Sequence, residues 1–549
     1  MDEQEENWYM DDYEEEEELL EEVDEEKGDN DLSGNYLDDL ETIEGDDDYE
    51  DVLFENALSI KSISSEILSC TIPVLKQAYW LLILILVSCL LWRIVQFLLN
   101  KCFPSNGKIC RTFVTIILHI FSICLGLLVL YHASYDLWWI VIGLIIALTL
   151  LFTLNINSDI SNSHGKYTNW ELLVTIGICS SVQLYCEFNK NPVKWHQIRG
   201  SIMIIIMKCI SFSMENKNFY KTINKEPCCI LLWTPLYRGL LWLSYCLCPA
   251  SLLFGPWFNP LRYEEMIRNY PVNDKPFSLK NTIISLFQTV KLFGLSLLYL
   301  TYSTCFSHTL ALILKFQPWL HAYFASQSFR FSHYFVCISS ESSMKALGYY
   351  DKYLIKSNKQ ENTKEKDNSK DVYKPIVVTR PLFIEFPRSL VEVVIYWNLP
   401  MHTWLKQYVY KPLRPYGHVY AILGTYTASS LLHGLNFQLS AVLFSIGIYA
   451  YIEYVFREKL ATILDACIAS RPCPESCCHS NKNSFWVCWC NVAFSCLAIF
   501  HLAYLAVMFD TSEQQFKGYN MWHTMDKWYN LGFLSHIVAF ANFLFYLYL

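Results

Sequence analysis

The chain has 549 residues, 53% hydrophobic and only 17% charged, where soluble globular chains carry roughly 25% charged residues. Its charge is unevenly held: residues 1–55 contain 28 acidic groups and one basic residue, Lys27, so this segment carries −27 and the remainder +16 within a net −11. A soluble acidic domain is thereby excluded. The body is basic and apolar, and nucleic acid is not an expected partner.

In chain order, residues 1–65 read as an acidic disordered tail, because high net charge with little to bury cannot offset the entropy of ordering. Met1 is not followed by a signal-peptide pattern, so the first membrane helix is expected to do the targeting. Apolar runs of spanning length then follow one another, each near the ~20 residues that a hydrocarbon core of about 30 Å requires. They are 79–99, 113–131, 138–154, 172–188, 230–254, 283–300, 308–323, 333–347, 420–432, 437–455, 485–508 and 531–549. The run 201–213, SIMIIIMKCISFS, is short for a span and reads as re-entrant or interfacial. The expected fold is all-α: a polytopic membrane helical bundle of about 9–12 membrane segments with re-entrant and interfacial helices. No internal repeat is visible, which removes one support for a transporter. The basic loops 100–111, 189–199 and 356–374 are the cytosolic candidates.

Cysteine number is high, 21. Many lie inside apolar runs, where a thiol behaves as a small hydrophobe. The loop sequence RPCPESCCHS differs, grouping Cys473, Cys477, Cys478 and His479. Its spacing resembles half of a metal site without a second pair. A zinc site, a disulfide and free or acylated thiols all remain open for it, and no metal is assigned to the reaction.

The stretch from Thr425 to Ile452 holds no Asp, Glu, Lys or Arg, yet it contains His433 beside Gly434. On one continuous helix Tyr426, Ser429, Ser430, His433, Asn436 and Ser440 would share a face. A polar stripe at membrane depth faces protein or a water-filled cavity. Thirty-five residues earlier, Asn398 stands in WNLP. Leu399 precedes proline and is pushed out of helical geometry, so a helix beginning near Arg388 should end around Asn398. Met401, Trp404, Leu405 and Tyr408 then form the apolar face of an expected interfacial helix. A buried imidazole and a buried amide suit acyl transfer. The imidazole takes a proton from an attacking hydroxyl, and the amide positions that hydroxyl or donates to the developing oxyanion. Lining of a pore, or helix–helix hydrogen bonding, would use the same residues.

These residues resemble the membrane-bound O-acyltransferase family, which pairs an Asn or Asp with a His some 30–40 residues later in an apolar segment. Longer phrases carry the resemblance further. They are PASLLFGPWFNP (249–260), FRFSHYFVCISSE (329–341), RPLFIEFPRSLVEVVIYWNLPM (380–401), LLHGLNFQLSAVL (431–443) and LAIFHLAYLAVMFD (497–510). They are similar to the branch of that family that acylates secreted Wnt proteins. The resemblance covers roughly residues 65–549, so residues 66–549 are expected to form the acyltransferase domain.

It implies a multi-pass enzyme of the endoplasmic reticulum membrane, among membrane lipids. The enzyme would transfer a cis-Δ9 monounsaturated acyl group from palmitoleoyl-CoA, a co-substrate rather than a cofactor, to a serine of Wnt proteins. His433 would be the general base and Asn398 the positioning amide, with Trp397 and Leu432 flanking them. Arg330, Ser332, Tyr334 and Trp257 would line the acyl-CoA site, and Arg457 would contact phosphate. Other readings are an acyltransferase for a lysophospholipid or another secreted protein, or a non-catalytic transporter or scaffold. A transporter predicts ionisable residues on several spans, and Glu341 is the main one within these.

Overall fold

The computed structural model describes residues 47–103, 108–134, 136–154, 170–215, 234–268, 279–314, 316–354, 371–434, 436–474, 477–482, 484–509 and 521–549. The acidic residues up to 46 and loop residues 355–370 lie outside them. The chain divides into two compact units, one of residues 1–70 and 352–374, the other of residues 71–351 and 375–549. In the first, the described residues are the start of a long helix and most of a two-stranded ribbon. The second is a helical bundle.

The first half supplies α1 (Asp47–Cys102), α2 (Lys108–Ala133), α3 (Trp138–Leu154), α4 (Trp170–Asn189), α5 (Pro192–Met214), α6 (Thr234–Cys246) and α7 (Pro260–Arg268). The opening turns of α1, residues 47–65, fall within the stretch expected to be a tail. Next come α8 (Leu279–Thr301), which runs through a π-turn at Tyr302–Ser307, and α9 (Pro318–Leu347). Tyr350–Leu354 and Asp371–Pro375 pair as β1 and β2. The C-terminal part holds α10 (Leu390–Trp397), α11 (Leu399–Leu405), α12 (His418–Leu432), α13 (Phe437–Leu464), α14 (Phe485–Ala506), α15 (Met521–Asn530) and α16 (Leu534–Tyr548).

Among the described residues, seven helices are long and apolar enough to cross a bilayer, and α15 with α16, bent by 75°, makes an eighth if counted together. One further apolar helix, within α3, is shorter than a span at Trp138–Thr153. The run 201–213 is not a short piece on its own. It belongs to the 23 residues of α5, of which Lys194–Met214 is long enough to span. Lys194, His196 and Arg199 disguised its first turns.

The core of the bundle packs Phe152 and Phe212 on Trp242, with ring centroids 4.9 and 5.2 Å apart, and reaches across to Trp404 and Leu432. Its charged members are matched. Arg238 meets Glu171 at 3.0 Å. Lys208 lies in mid-helix, where its Nζ donates to Tyr245 O and Ser251 Oγ, each at 2.7 Å. It thereby satisfies a carbonyl orphaned at the C-terminus of α6.

Candidate active site

Two helix breaks build the site, and local sequence causes both. Ser389 caps α10 by accepting from Glu392 N at 3.2 Å, while the Glu392 carboxylate reaches back to Arg388 N at 2.5 Å. This serves as a capping box. Nine residues on, the helix ends at Asn398, which has φ −154° and ψ 90°. Leu399, expected to leave helical geometry, instead opens α11, so Pro400 acts through its missing N–H, which cannot continue the helix by bonding Tyr396 O. The Asn398 side chain starts the next helix, its Oδ1 accepting from Met401 N at 3.0 Å. Among the described residues its Nδ2 has no hydrogen-bond partner.

The face formed by Met401, Trp404, Leu405 and Tyr408, expected to be the apolar side of an interfacial helix, is packed against protein at Trp404 and Tyr408. Trp404 is buried and donates from Nε1 to Met207 O at 3.0 Å. Tyr408 reaches Glu215 at 3.1 Å. The apolar stripe is wide enough to be covered by α5, so it packs inward.

The second break is at His433. The helix stops at Leu432, where the apolar span 420–432 also ends, with His433 as its cap residue and Gly434 at φ +98°, so the polar residues expected on one helical face are divided between two helices. Asn436 then opens α13 by accepting from Gln438 N at 2.9 Å. Gly434 is required twice, since any other residue is strained at that φ and an added Cβ would stand 3.2 Å from Glu187 Oε2. The break also folds the polar stripe on itself, bringing Ser430 Oγ and Ser440 Oγ to 2.5 Å. Higher up, α12 and α13 approach so closely that a Cβ on Gly447 would lie 2.6 Å from the Tyr426 ring.

The imidazole of His433 is half-buried, within electrostatic range of Arg199 and His333. Gln183 of α4 fixes the end of α12 by donating to Leu431 O at 2.6 Å. His333 is bonded to the first break. Its ring stacks on the Trp397 indole at 4.4 Å and 11°. Its Nε2 donates to Trp397 O at 2.9 Å, which in the neutral tautomer leaves Nδ1 as an acceptor. Sequence reasoning passed over His333, although it lies between Ser332 and Tyr334 in FRFSHYF.

The other expected residues take different places. Leu432 is buried in the core, and Ser332 is exposed. Arg330 is held bidentately by Glu385 at 2.7 and 2.9 Å and donates to Ser326 Oγ at 2.5 Å. Tyr334 donates to the same carboxylate at 2.8 Å. Both serve a buried ion-pair network. Trp257 is buried, bonded through Nε1 to Ser211 Oγ at 3.0 Å and set edge-on to Tyr408. Arg457 corrects its expectation as a phosphate contact. It is 0% exposed, and its donors go to Ile468 O, Arg388 O, Glu453, Ala469 O and Asn491. A guanidinium has five N–H groups, and all five are used internally.

The model of the membrane-bound O-acyltransferase family matches residues 236–463, an interval that contains His333, Asn398 and His433. Over 506 residues the chain is 32% identical to human protein-serine O-palmitoleoyltransferase porcupine, with 87% of this chain and 96% of the relative covered. This chain belongs to the membrane-bound O-acyltransferase family. The mouse protein of the same name is 33% identical over the same coverage. That of Anopheles gambiae is 29% identical over 88% of this chain and 94% of its own length. As a membrane-bound O-acyltransferase the chain is a multi-pass membrane protein, in keeping with its apolar helices.

Proposed function

We propose that this chain is a protein-serine O-palmitoleoyltransferase of the endoplasmic reticulum membrane, using palmitoleoyl-CoA as donor and a serine of Wnt proteins as acceptor. The observation that carries the reading is His433, half-buried at a helix break within an uncharged stretch, with a second break at Asn398 whose amide Nδ2 is left over after the cap bond to Met401 N. The porcupine relatives, named for O-palmitoleoyl transfer to a protein serine, support the acyl group and the acceptor residue.

His433 takes the proton of the serine hydroxyl as its oxygen attacks the thioester carbonyl. Collapse of the tetrahedral intermediate breaks the C–S bond, and the proton returns from the imidazolium to the CoA sulfur. With Asn398 Oδ1 committed to Met401 N, the free end of that amide is a donor. Asn398 therefore stabilises the oxyanion through Nδ2 and does not accept the serine proton. The site lies where an acyl chain can come from lipid, and restricting water there protects the thioester from hydrolysis.

The test uses cells lacking this activity, supplied with an alkyne-tagged cis-unsaturated fatty acid and co-expressing a Wnt protein with this chain or with its His433→Ala variant. Label on the Wnt serine with wild type and a loss of roughly 10²–10⁴ with the variant, at equal protein level, is the expected result. Label that survives the substitution refutes His433 as base. Label found only on lysophospholipid assigns a different acceptor.

A further inference from the structure

The loop between α13 and α14 holds a cluster that acyl transfer does not use. Cys467, Cys473, Cys477 and His479 bring three sulfurs and one ring nitrogen within 4.8 Å of one another. We propose that these four residues bind one structural zinc ion, and that this ion fixes the loop that anchors the start of α10.

The distances fit a tetrahedron. Zn–S bonds of ~2.3 Å and a Zn–N bond of ~2.05 Å at tetrahedral angles require S···S separations of about 3.8 Å and S···N separations of about 3.5 Å. Cys467 Sγ lies 3.5 Å from Cys477 Sγ. His479 Nδ1 lies 3.7 Å from Cys467 Sγ and 3.6 Å from Cys473 Sγ. The cysteines are free thiols, and 3.5 Å is far beyond the ~2.05 Å of a disulfide. Three sulfurs cannot all pair with one another, and a ring nitrogen shared between two of them has no place in a disulfide. Three thiolates and one imidazole form one of the usual closed structural zinc sets.

The scaffold holds the first ligand in place. Cys467 N donates to Asn481 O at 3.0 Å. Cys467 O accepts from Arg388 Nη2 at 2.9 Å and from Asn491 Nδ2 at 3.2 Å. Zinc with three thiolates carries −1, and the Arg388 guanidinium bonded to the ligand's own carbonyl offsets that charge. Such outer partners orient ligands and tune their affinity. Arg388 also immediately precedes the cap of α10, the helix that ends at Asn398. The metal thus sits at the far end of a short, hydrogen-bonded path to the acyl-transfer site. The fourth ligand escaped the sequence reading because Cys467 lies six residues before Cys473, on the other side of the loop.

The full-length protein is purified in detergent with a histidine-free tag and no added metal, and its metals are measured by mass spectrometry. The expected result is about one zinc per chain, falling at least tenfold in Cys473→Ser and unchanged in Cys478→Ser, whose residue lies outside the cluster. If Cys473→Ser cannot be recovered folded, alkylation of wild type decides. Cys467, Cys473 and Cys477 should be protected until a chelator is added and labelled afterwards. Metal-free protein, a disulfide among these cysteines, iron in place of zinc, or protection unchanged by chelator would each overturn the proposal.

Discussion

Asn398 does two jobs in this structure, and a pair of substitutions separates them. Its Oδ1 caps α11 through one hydrogen bond of 3.0 Å, while its Nδ2 is the group assigned to the oxyanion. Serine is as good an N-cap as asparagine, whereas alanine costs about 1 kcal/mol at such a position. Serine cannot present an amide donor at the reach of Nδ2. The loss of one oxyanion donor typically lowers turnover by about 10²–10³, or roughly 2.7–4 kcal/mol. Asn398→Ser is therefore expected to retain the wild-type thermal midpoint and lose that factor in rate. Asn398→Ala should lose a similar factor and also melt earlier, by about the worth of one cap. The assay is transfer from a labelled cis-unsaturated acyl-CoA to a serine-containing acceptor peptide, run in detergent beside a melting curve. A serine variant with more than about a tenth of wild-type turnover would refute the argument, because the predicted loss is far larger. Asn398 would then be a helix cap and nothing more.

Two further outcomes follow from the packing. Gly434→Ala is expected to lower stability by about 1–3 kcal/mol through its φ, with acyl transfer reduced alongside. Adding Glu187→Ala should relieve the steric part alone, and equal stability of Gly434→Ala and wild type by thermal melt would contradict the geometry. Arg330→Met strands the Glu385 carboxylate, which is 12% exposed, at a cost of about 3–5 kcal/mol. Folded yield should fall sharply and recover in part in Arg330→Met/Glu385→Gln. A single variant as well folded as wild type would show that the pair does not hold α9.

The sequence announced one of the two breaks and concealed the other. Pro400 has no N–H to carry a helix through it, a local constraint that can be read without tertiary information, and α10 ends at Asn398 as expected, although Leu399 opens the next helix and does not leave helical geometry. The polar residues around His433 recur at helical spacing and read as one helical face, although the apolar spans 420–432 and 437–455 leave a gap there. The contrary signals, Gly434 and an asparagine able to cap at 436, are also local, and the regular polar stripe outweighed them. The approach of Glu187 to Gly434 from another helix is a further constraint that no single segment reveals. The same holds for the arginines. A guanidinium near the end of an apolar run reads as an anchor or an anion site, and only the assembled fold shows that Arg457 and Arg330 are spent on protein partners. His333 and Cys467 were missed for the opposite reason, being ordinary in their own segments and meaningful only through what the fold lays beside them.

The saturation of Arg457 has a mechanical consequence. Its bonds run to Ile468 and Ala469 in the loop, to Arg388 ahead of α10, to Glu453 on its own helix and to Asn491 on α14. Separating any one of these pieces would strand part of a cation in a dry interior, where an uncompensated charge is strongly unfavourable. Those four segments therefore move as one rigid block.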